Sequence, residues 1–397
     1  MKRIDLETGL NLIDEHIGSI KDTEKIDIID ALGRVLAEDI YSPIDIPLFD
    51  RSPLDGYAIR AEDLVKGDST RFKVIEKIYA GDVPKYEIEE GLATRIMTGA
   101  MIPKGANTIL KQELVDVYDE YIETKAQLSP FDNYIPKGED LKIGDLITSK
   151  NRSLNSILIG LLAGMGIADV EVFRELKIGV LSTGSEVVDY KSDISAGKIY
   201  DSNSMTFIQR LKELGFKNIV TGRCGDDVES LKSDFLNLIK NTDFVISTGG
   251  VSVGEKDYIP SSLLEIGAKP LFEKVRIKPG SHMVVYKYGD VPILGLSGNP
   301  FAALATFEIF GRRILAKLSN VESVFPKKIK STTINSFDKA SRVRRLVRAS
   351  YENGMVKFSN KHDAGVMSSM ISCNCLVDIP EGSEPIAVGE EVELYLL

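Results

Sequence analysis

Tryptophan is absent from this 397-residue chain, and cysteine and histidine occur only three times each. Cys224 stands alone, and Cys373-Asn374-Cys375 is too tightly spaced for a usual zinc pair. His16, His282 and His362 are scattered. A structural metal site or a disulfide framework is therefore not expected, and a reducing cytoplasm fits this usage. Positive charge is also short: 49 basic against 59 acidic residues give a net charge of −10. That excludes nucleic acid as the main partner. The longest apolar stretch, Leu158 to Val170, is too short to span a bilayer and contains three glycines. Met1 to Glu7 has no apolar leader pattern, so no membrane association is expected.

What remains is ordinary soluble composition, 43% hydrophobic and 27% charged, in a length that suits two to four domains. Asp5 is placed to cap a helix on which Leu6, Leu10, Ile13 and Ile17 recur at helical spacing. Pro53 and Gly56 constrain a turn that presents Ser52, Asp55 and Tyr57 together, although Asp55 could merely satisfy local N–H groups. Residues 70–136 alternate short apolar runs with Gly, Pro and Asp, as a small β domain does. Thr98-Gly99 lies in a second turn there, closed by Pro103. Residues 152–166 have an apolar helical pattern. This helix is expected to pack on the first one, which would make the β domain an insertion. The expected division is 1–22 with 42–49 and 137–173, an inserted β domain of 23–41 with 50–136, an α/β domain of 174–322, and a small β domain of 323–397.

Beyond Glu175, strands and helices alternate, which predicts an open α/β sheet with parallel strands. Ligands bind such sheets beyond the carboxyl ends of the strands. Thr183-Gly184-Ser185-Glu186 follows one strand, and Ser247 to Asp257 follows another. In the second loop, Gly249, Gly250 and Gly254 with Ser247, Thr248 and Ser252 can bring several backbone N–H groups to one anion. Glu255, Lys256 and Asp257 come next, an order that suits a phosphate ester held with a divalent cation. Asn203 or Ser204 is expected to cap the helix after Tyr200-Asp201-Ser202. Lys274 and Lys278 supply cations on a strand and turn, though solvated charges would read the same way. Ser297-Gly298-Asn299, with Pro300 starting a helix, forms a natural anion seat. Gly250 to Gly254 also matches a nucleophile elbow, with Ser252, Asp257 and His282 as a triad. The polar run after Ser252 is wrong for the helix that such an elbow needs.

Ser52-Pro53-Leu54-Asp55-Gly56-Tyr57, Met97-Thr98-Gly99-Ala100, Ser182-Thr183-Gly184 with Glu186, Tyr200-Asp201-Ser202-Asn203, Thr248 to Gly254 with Asp257-Tyr258, Lys278-Pro279-Gly280 and Gly298-Asn299-Pro300 occur in that order. Across essentially the whole chain this resembles the molybdopterin molybdenumtransferase family, which includes the E domain of gephyrin. The resemblance implies a central molybdopterin-binding α/β domain, an N-terminal helical region with an inserted β domain, and a C-terminal β domain. It implies insertion of molybdate into adenylylated molybdopterin, with Mg2+-dependent pyrophosphate cleavage and AMP release.

On this resemblance Glu186, Asp226 and Asp257 are the expected metal ligands, although Asp226 could instead cap a helix. Lys274 and Lys278 would neutralise pyrophosphate or molybdate. Thr183, Gly184, Asp201, Asn203, Gly249, Gly250, Val251, Ser252, Gly254, Ser297, Gly298, Asn299 and Pro300 would line the substrate site. Ser368 would line the cleft or serve a β-turn. Asp55 and Thr98 would reach the active site of the partner subunit in a homodimer. The adenylyltransferase of the preceding step is an expected partner. Ile135-Pro136, Ser185, Ser281-His282 and Ser297 depart from the family pattern and leave open whether molybdate or tungstate is preferred. A non-catalytic scaffold of the same fold is the other reading.

Overall fold

The computed structural model describes residues 3–225, 227–251, 258–360, 363 and 365–397. The chain opens with α1 (Leu6–His16), β1 (Thr23–Asp27) and β2 (Ile40–Tyr41). Six strands follow: β3 (Gly56–Ile59), β4 (Thr70–Ile78), β5 (Leu92–Ile96), β6 (Thr108–Lys111), β7 (Asp116–Val117) and β8 (Tyr121–Thr124). They form one sheet in the order β6-β3-β5-β4-β8-β7, the inserted β domain. The chain then returns through β9 (Leu146–Thr148), α2 (Ser156–Gly164) and β10 (Asp169–Phe173).

Two expectations about this half need correction. Asp5 does cap α1, accepting the Thr8 N–H at 2.7 Å. But α1 does not pack on α2. Its Leu6 and Ile13 join the core of the central domain, beside Phe272 and Phe310, and Asp14 pairs with Arg313 at 2.8 Å. The apolar stripe had to be covered, and the aromatic surface of the central domain covers it. Residues 23–41 likewise lie outside the inserted sheet. β1 pairs antiparallel with β10, β2 pairs with β9, and Leu36 and Ile40 pack with Leu154, Leu162 and Val172. Helix α2 buries only Leu162, and its Ile157 is 81% exposed.

The central domain runs through β11 (Ile178–Thr183), β12 (Val187–Val188), β13 (Ile199–Tyr200), α3 (Ser202–Glu213), β14 (Ile219–Cys224), α4 (Val228–Asn241), β15 (Phe244–Thr248) and α5 (Ile259–Glu265). It continues with β16 (Lys269–Lys274), β17 (Ile277–Lys278), β18 (His282–Tyr288), β19 (Val291–Leu296), α6 (Pro300–Thr306), a π turn at Phe307–Gly311, and α7 (Arg312–Ser319). The sheet order is β14-β11-β15-β19-β18-β16. The first four strands are parallel, as expected; β18 and β16 are antiparallel additions. Buried runs such as Phe244-Val245-Ile246 suit strands covered by helices on both faces.

The C-terminal domain is a barrel of β20 (Lys328–Thr333), β21 (Arg344–Glu352), β22 (Met355–Phe358), β23 (Cys375–Ile379) and β24 (Glu391–Leu396), closed by the β21–β23 pairing. Strand β17 leaves the central domain and pairs with β21, so the two domains share a sheet.

A buried ionic triad joins the same two domains. Glu308, 1% exposed in the π turn, accepts from Arg210 Nε on α3 at 2.7 Å and from Arg312 at 3.1 Å. Arg312 also donates to the carbonyls of Val324, Phe325 and Leu396. At a second junction Asp378 of β23 takes both ends of the Arg344 guanidinium at 2.6 Å, and Arg344 reaches Glu7 on α1. Lys328 stands 3.0 Å from the same carboxylate.

Glu308→Ala would leave two guanidinium groups without their carboxylate, so chemical denaturation is expected to show a loss of about 3–5 kcal/mol. Burial pushes the Asp378 carboxyl up, but hydrogen bonding to Arg344 and the charges of Arg344 and Lys328 outweigh it and hold it below the ordinary carboxylate range. A lowered folded value means that its stabilisation is complete above the unfolded value of about 4 and fades as pH falls through the folded one. Melting curves below pH 4 should therefore steepen their decline in wild type, and Asp378→Asn should remove that part of the pH dependence.

Candidate active site

Because β11, β15 and β19 run parallel and adjacent, their carboxyl ends meet at one edge of the central sheet. A cavity of about 230 Å3 opens there, between the turns after those strands and the start of α3. Thr183, Glu186, Asp201, Asn203, Gly249, Gly298, Asn299 and Pro300 all line it. The loops are tied across the strands. Thr183 Oγ1 donates to the Thr248 carbonyl at 2.9 Å, and the Gly249 N–H donates to the Leu296 carbonyl at 3.0 Å. Gly249 has φ +92°, and a Cβ there would stand 2.7 Å from the Thr183 carbonyl oxygen. Glycine is thus required by both conformation and space. Asn203 Nδ2 donates to the Gly298 carbonyl at 2.9 Å, joining α3 to the third turn.

The carboxylates differ in freedom. Asp201, 7% exposed, is the N-cap of α3 and accepts from the Ser204 N–H at 3.0 Å. The expected caps, Asn203 and Ser204, are already inside the helix, which starts at Ser202. Asp227 caps α4, accepting from the Ser230 N–H at 2.8 Å. Glu186 is exposed at the cavity and makes no ion pair among the described residues. Asp226, Ser252, Gly254 and Asp257 lie outside the described residues. Val251 turns inward, 4% exposed in the core between β19 and α5. The Gly250 backbone at φ +58° delivers it there.

A second cavity, of about 130 Å3, lies between the central domain and the barrel. Lys278 and Pro279 line one wall, Phe301 of α6 another, and Arg345 and Arg348 of β21 a third. Arg348 has no exposed surface. Its terminal nitrogens donate to the carbonyls of Val366 and Asp363 at 2.6 Å and to Ser369 Oγ, and Phe301 lies face-on 3.7 Å from its guanidinium carbon. Its Nε is buried with no hydrogen-bond partner among the described residues. Burial presses its pKa downward. Neither Arg345 nor Arg348 was singled out in the sequence, where both sit in an alternating strand pattern. The one available signal is an arginine inside the otherwise apolar run Leu346-Val347-Arg348-Ala349.

Three family models match in succession: the MoeA N-terminal region (domain I and II) over residues 4–166, a probable molybdopterin binding domain over 179–317, and the MoeA C-terminal region (domain IV) over 331–397. A molybdopterin molybdenumtransferase of Staphylococcus aureus (strain COL) is 34% identical over 373 residues, covering 92% of this chain and 89% of that protein. One of Staphylococcus epidermidis is 34% identical over 378 residues, covering 94% and 90%. The crystal structure of a molybdopterin biosynthesis MoeA protein from Pyrococcus horikoshii OT3 superposes with a TM-score of 0.84 at 33% identity, covering all of both chains. The chain belongs to the molybdopterin molybdenumtransferase family.

The family's remaining motifs fall elsewhere in the fold. Asp55 accepts from the Thr98 N–H at 2.9 Å and Oγ1 at 2.8 Å, bonds that hold it below the ordinary carboxylate range. Half-buried Asp55 and exposed Thr98 sit on the inserted domain and line neither cavity. Lys274 pairs with His282 at the antiparallel edge of the central sheet and also lines neither. Ser368 lines a third cavity, about 450 Å3, in the barrel. The departures are locally accommodated. Ser297 Oγ accepts from the Asn299 N–H at 3.2 Å, Ser281 Oγ stands 3.3 Å from His282 Nδ1, and the Ser185 carbonyl accepts from Lys198 at 2.6 Å. Ile135 bridges to Arg51 in the link to the inserted domain.

Two glycines of the central cavity should respond differently to alanine. Gly249→Ala forces a left-handed backbone costing about 1–3 kcal/mol, apart from the clash with Thr183. A Gly298 Cβ would meet only the Gly249 Cα, at 3.7 Å, an ordinary contact. Thermal melting should fall by several degrees for Gly249→Ala and stay near wild type for Gly298→Ala.

Proposed function

We propose that this chain is a molybdopterin molybdenumtransferase that inserts molybdate into adenylylated molybdopterin, with pyrophosphate cleavage and release of AMP. The observation that carries the mechanism is the pairing of two unlike cavities. One, at the sheet edge, offers backbone donors and small residues. The other is lined by cations, of which Arg348 is fully buried. The first suits the pyrophosphate, since N–H groups in glycine turns and at a helix start bind phosphate without side-chain bulk. The second suits the oxyanion, since guanidinium and ammonium groups supply charge-assisted hydrogen bonds. Ser297, Gly298 and Asn299 were expected to seat molybdate; the cationic wall formed by Lys278 and Arg348 suits the oxyanion's charge better, so we place it there and assign Gly298 and Asn299 to the nucleotide.

The donor chemistry suits Mg2+, which takes one or two carboxylates together with phosphate oxygens and water. Glu186 lines the cavity and makes no ion pair among the described residues; Asp226 and Asp257, the other ligands the resemblance implies, lie outside the described residues. Among the described residues no three acidic, histidine or cysteine ligands stand together. Bound there, the ion would neutralise charge on the pyrophosphate. The protein's own part is positioning: Gly249 and Gly298 let backbone approach the phosphates, Asn203 ties α3 to the Gly298 turn, and Arg348 holds the oxyanion. No residue acts as a covalent nucleophile.

Asp55 and Thr98 are proposed to serve the active site of a second copy in a homodimer. They line neither the sheet-edge cavity nor the barrel cavity of their own chain, and α2 leaves an apolar face that a second copy could cover. The adenylyltransferase that makes the substrate is the natural partner. No helix among the described residues is long and apolar enough to cross a membrane.

The reading predicts AMP release from adenylylated molybdopterin that requires Mg2+ and an oxyanion. Purified protein would be assayed with no oxyanion, molybdate or tungstate, and the ion giving faster release defines the preference. Binding of the nucleotide with no AMP release under any condition would replace this function with a scaffold role.

A further inference from the structure

The second cavity holds more positive charge than the fold itself requires. Lys278 on β17 and Arg345 on β21 are register partners on adjacent strands. Like charges placed side by side repel. Arg348, fully buried, closes the same small space. None of the three has an ion-pair partner among the described residues, although neighbouring Arg344 is fully paired. The one acid on the wall, Asp363, gives its main-chain oxygen to Arg348.

Arg345 repeats the feature that marks Arg348. Its Nε is buried and has no hydrogen-bond partner among the described residues. Two such orphaned guanidinium nitrogens beside one cavity are costly, since a buried donor left unmade loses its hydration without return. A dianion in the cavity that both arginines line would offset the two guanidinium charges and the lysine charge together.

We propose that Arg345 is a third cationic binding residue of the oxyanion seat, completing with Lys278 and Arg348 a site for a tetrahedral dianion. The inference rests on the reading of Lys278 and Arg348 as that seat. It adds a ligand-contacting role for a side chain that otherwise stacks only loosely, 5.6 Å from the Phe337 ring centre. A volume of about 130 Å3 suits a single oxyanion. The dianion is bound separately from the phosphate ester and can be titrated without it.

The test is calorimetric titration of the full chain with molybdate, tungstate and sulfate, alongside titration with AMP. Wild type is expected to bind the dianions. Arg345→Gln should weaken them at least 10-fold while leaving AMP binding unchanged. Arg345→Lys, which keeps the charge, should recover most of the loss. The dianion should also raise the melting temperature of wild type but not of Arg345→Gln. Arg348→Met serves as the reference. If Arg348→Met loses the dianions and Arg345→Gln binds within twofold of wild type, the role of Arg345 is overturned and the seat stands. If Arg348→Met binds them like wild type, the seat itself is wrong. If the glutamine and lysine variants are equally weak and both melt early, the residue is structural and the proposal falls.

Discussion

The carboxylate of Glu308 sets the relation between the two domains that make the site. It is buried in a π turn, between Arg210 from α3 and Arg312 from α7, and Arg312 grips the end of the barrel's last strand. A buried charge triad of this kind adds little stability beyond what apolar packing would give. It does fix geometry, because any slip of the helix would leave a charge unpaired in a medium of low dielectric. The π turn is part of that arrangement. Gly311 allows it, since a Cβ there would stand 2.5 Å from the Phe307 ring. The long helix carrying Asn299 and Phe301 at its start is therefore held in one register against the barrel.

That register matters because the two cavities use opposite chemistries. Around the sheet edge the lining is glycine backbone and short side chains with the carboxylates of Glu186 and Asp201, positioned by the parallel strands β11, β15 and β19. Among the described residues it carries no lysine or arginine. At the barrel the groups are long cationic side chains, of which Arg348 is made rigid by burial, by carbonyl acceptors and by the Phe301 ring. A pyrophosphate has its own bulky substituents and can be gripped by backbone. A small free oxyanion offers only charge and four acceptors, so guanidinium groups recognise it better.

The sequence made some of this legible for identifiable reasons. Glycine and hydroxyl residues directly after apolar runs signal strand ends, and three such ends do converge, at Thr183, Gly249 and Gly298. Local capping was legible at Asp5, where one carboxylate precedes an amphipathic stripe. It failed at Asp201, because Ser202, Asn203 and Ser204 all offer acceptable caps and only the first turn's position decides between them. Longer-range facts were not legible. An apolar stripe on α1 states that something covers it, without saying that the cover is Phe272 and Phe310. Strand β1 alternates too weakly to reveal β10 as its partner, 142 residues away between Asp27 and Asp169. Arg348 was hidden for a similar reason: a charged residue in a strand normally faces solvent, and only the docking of Phe301 and of the segment carrying Val366 and Ser369 on that face buries this one.

The turn Lys278-Pro279-Gly280 shows how the separate parts become one site. Gly280 has φ +90°, and a Cβ there would lie 2.4 Å from Thr306 Cγ2 and 3.1 Å from the Ala302 carbonyl. The turn is therefore pressed against α6. From that contact Lys278 enters the barrel sheet beside Arg345, while α6 runs back to its own first residues. Asn299 and Pro300 there line the nucleotide cavity, and Phe301 lines the oxyanion cavity. One helix start is thus the common wall of both. A shift of α6 relative to the barrel would alter the two cavities together, whereas a change at Thr183 or at Arg345 reaches only one. Under the proposed function, that first turn is the physical path by which oxyanion arrival would be coupled to pyrophosphate cleavage.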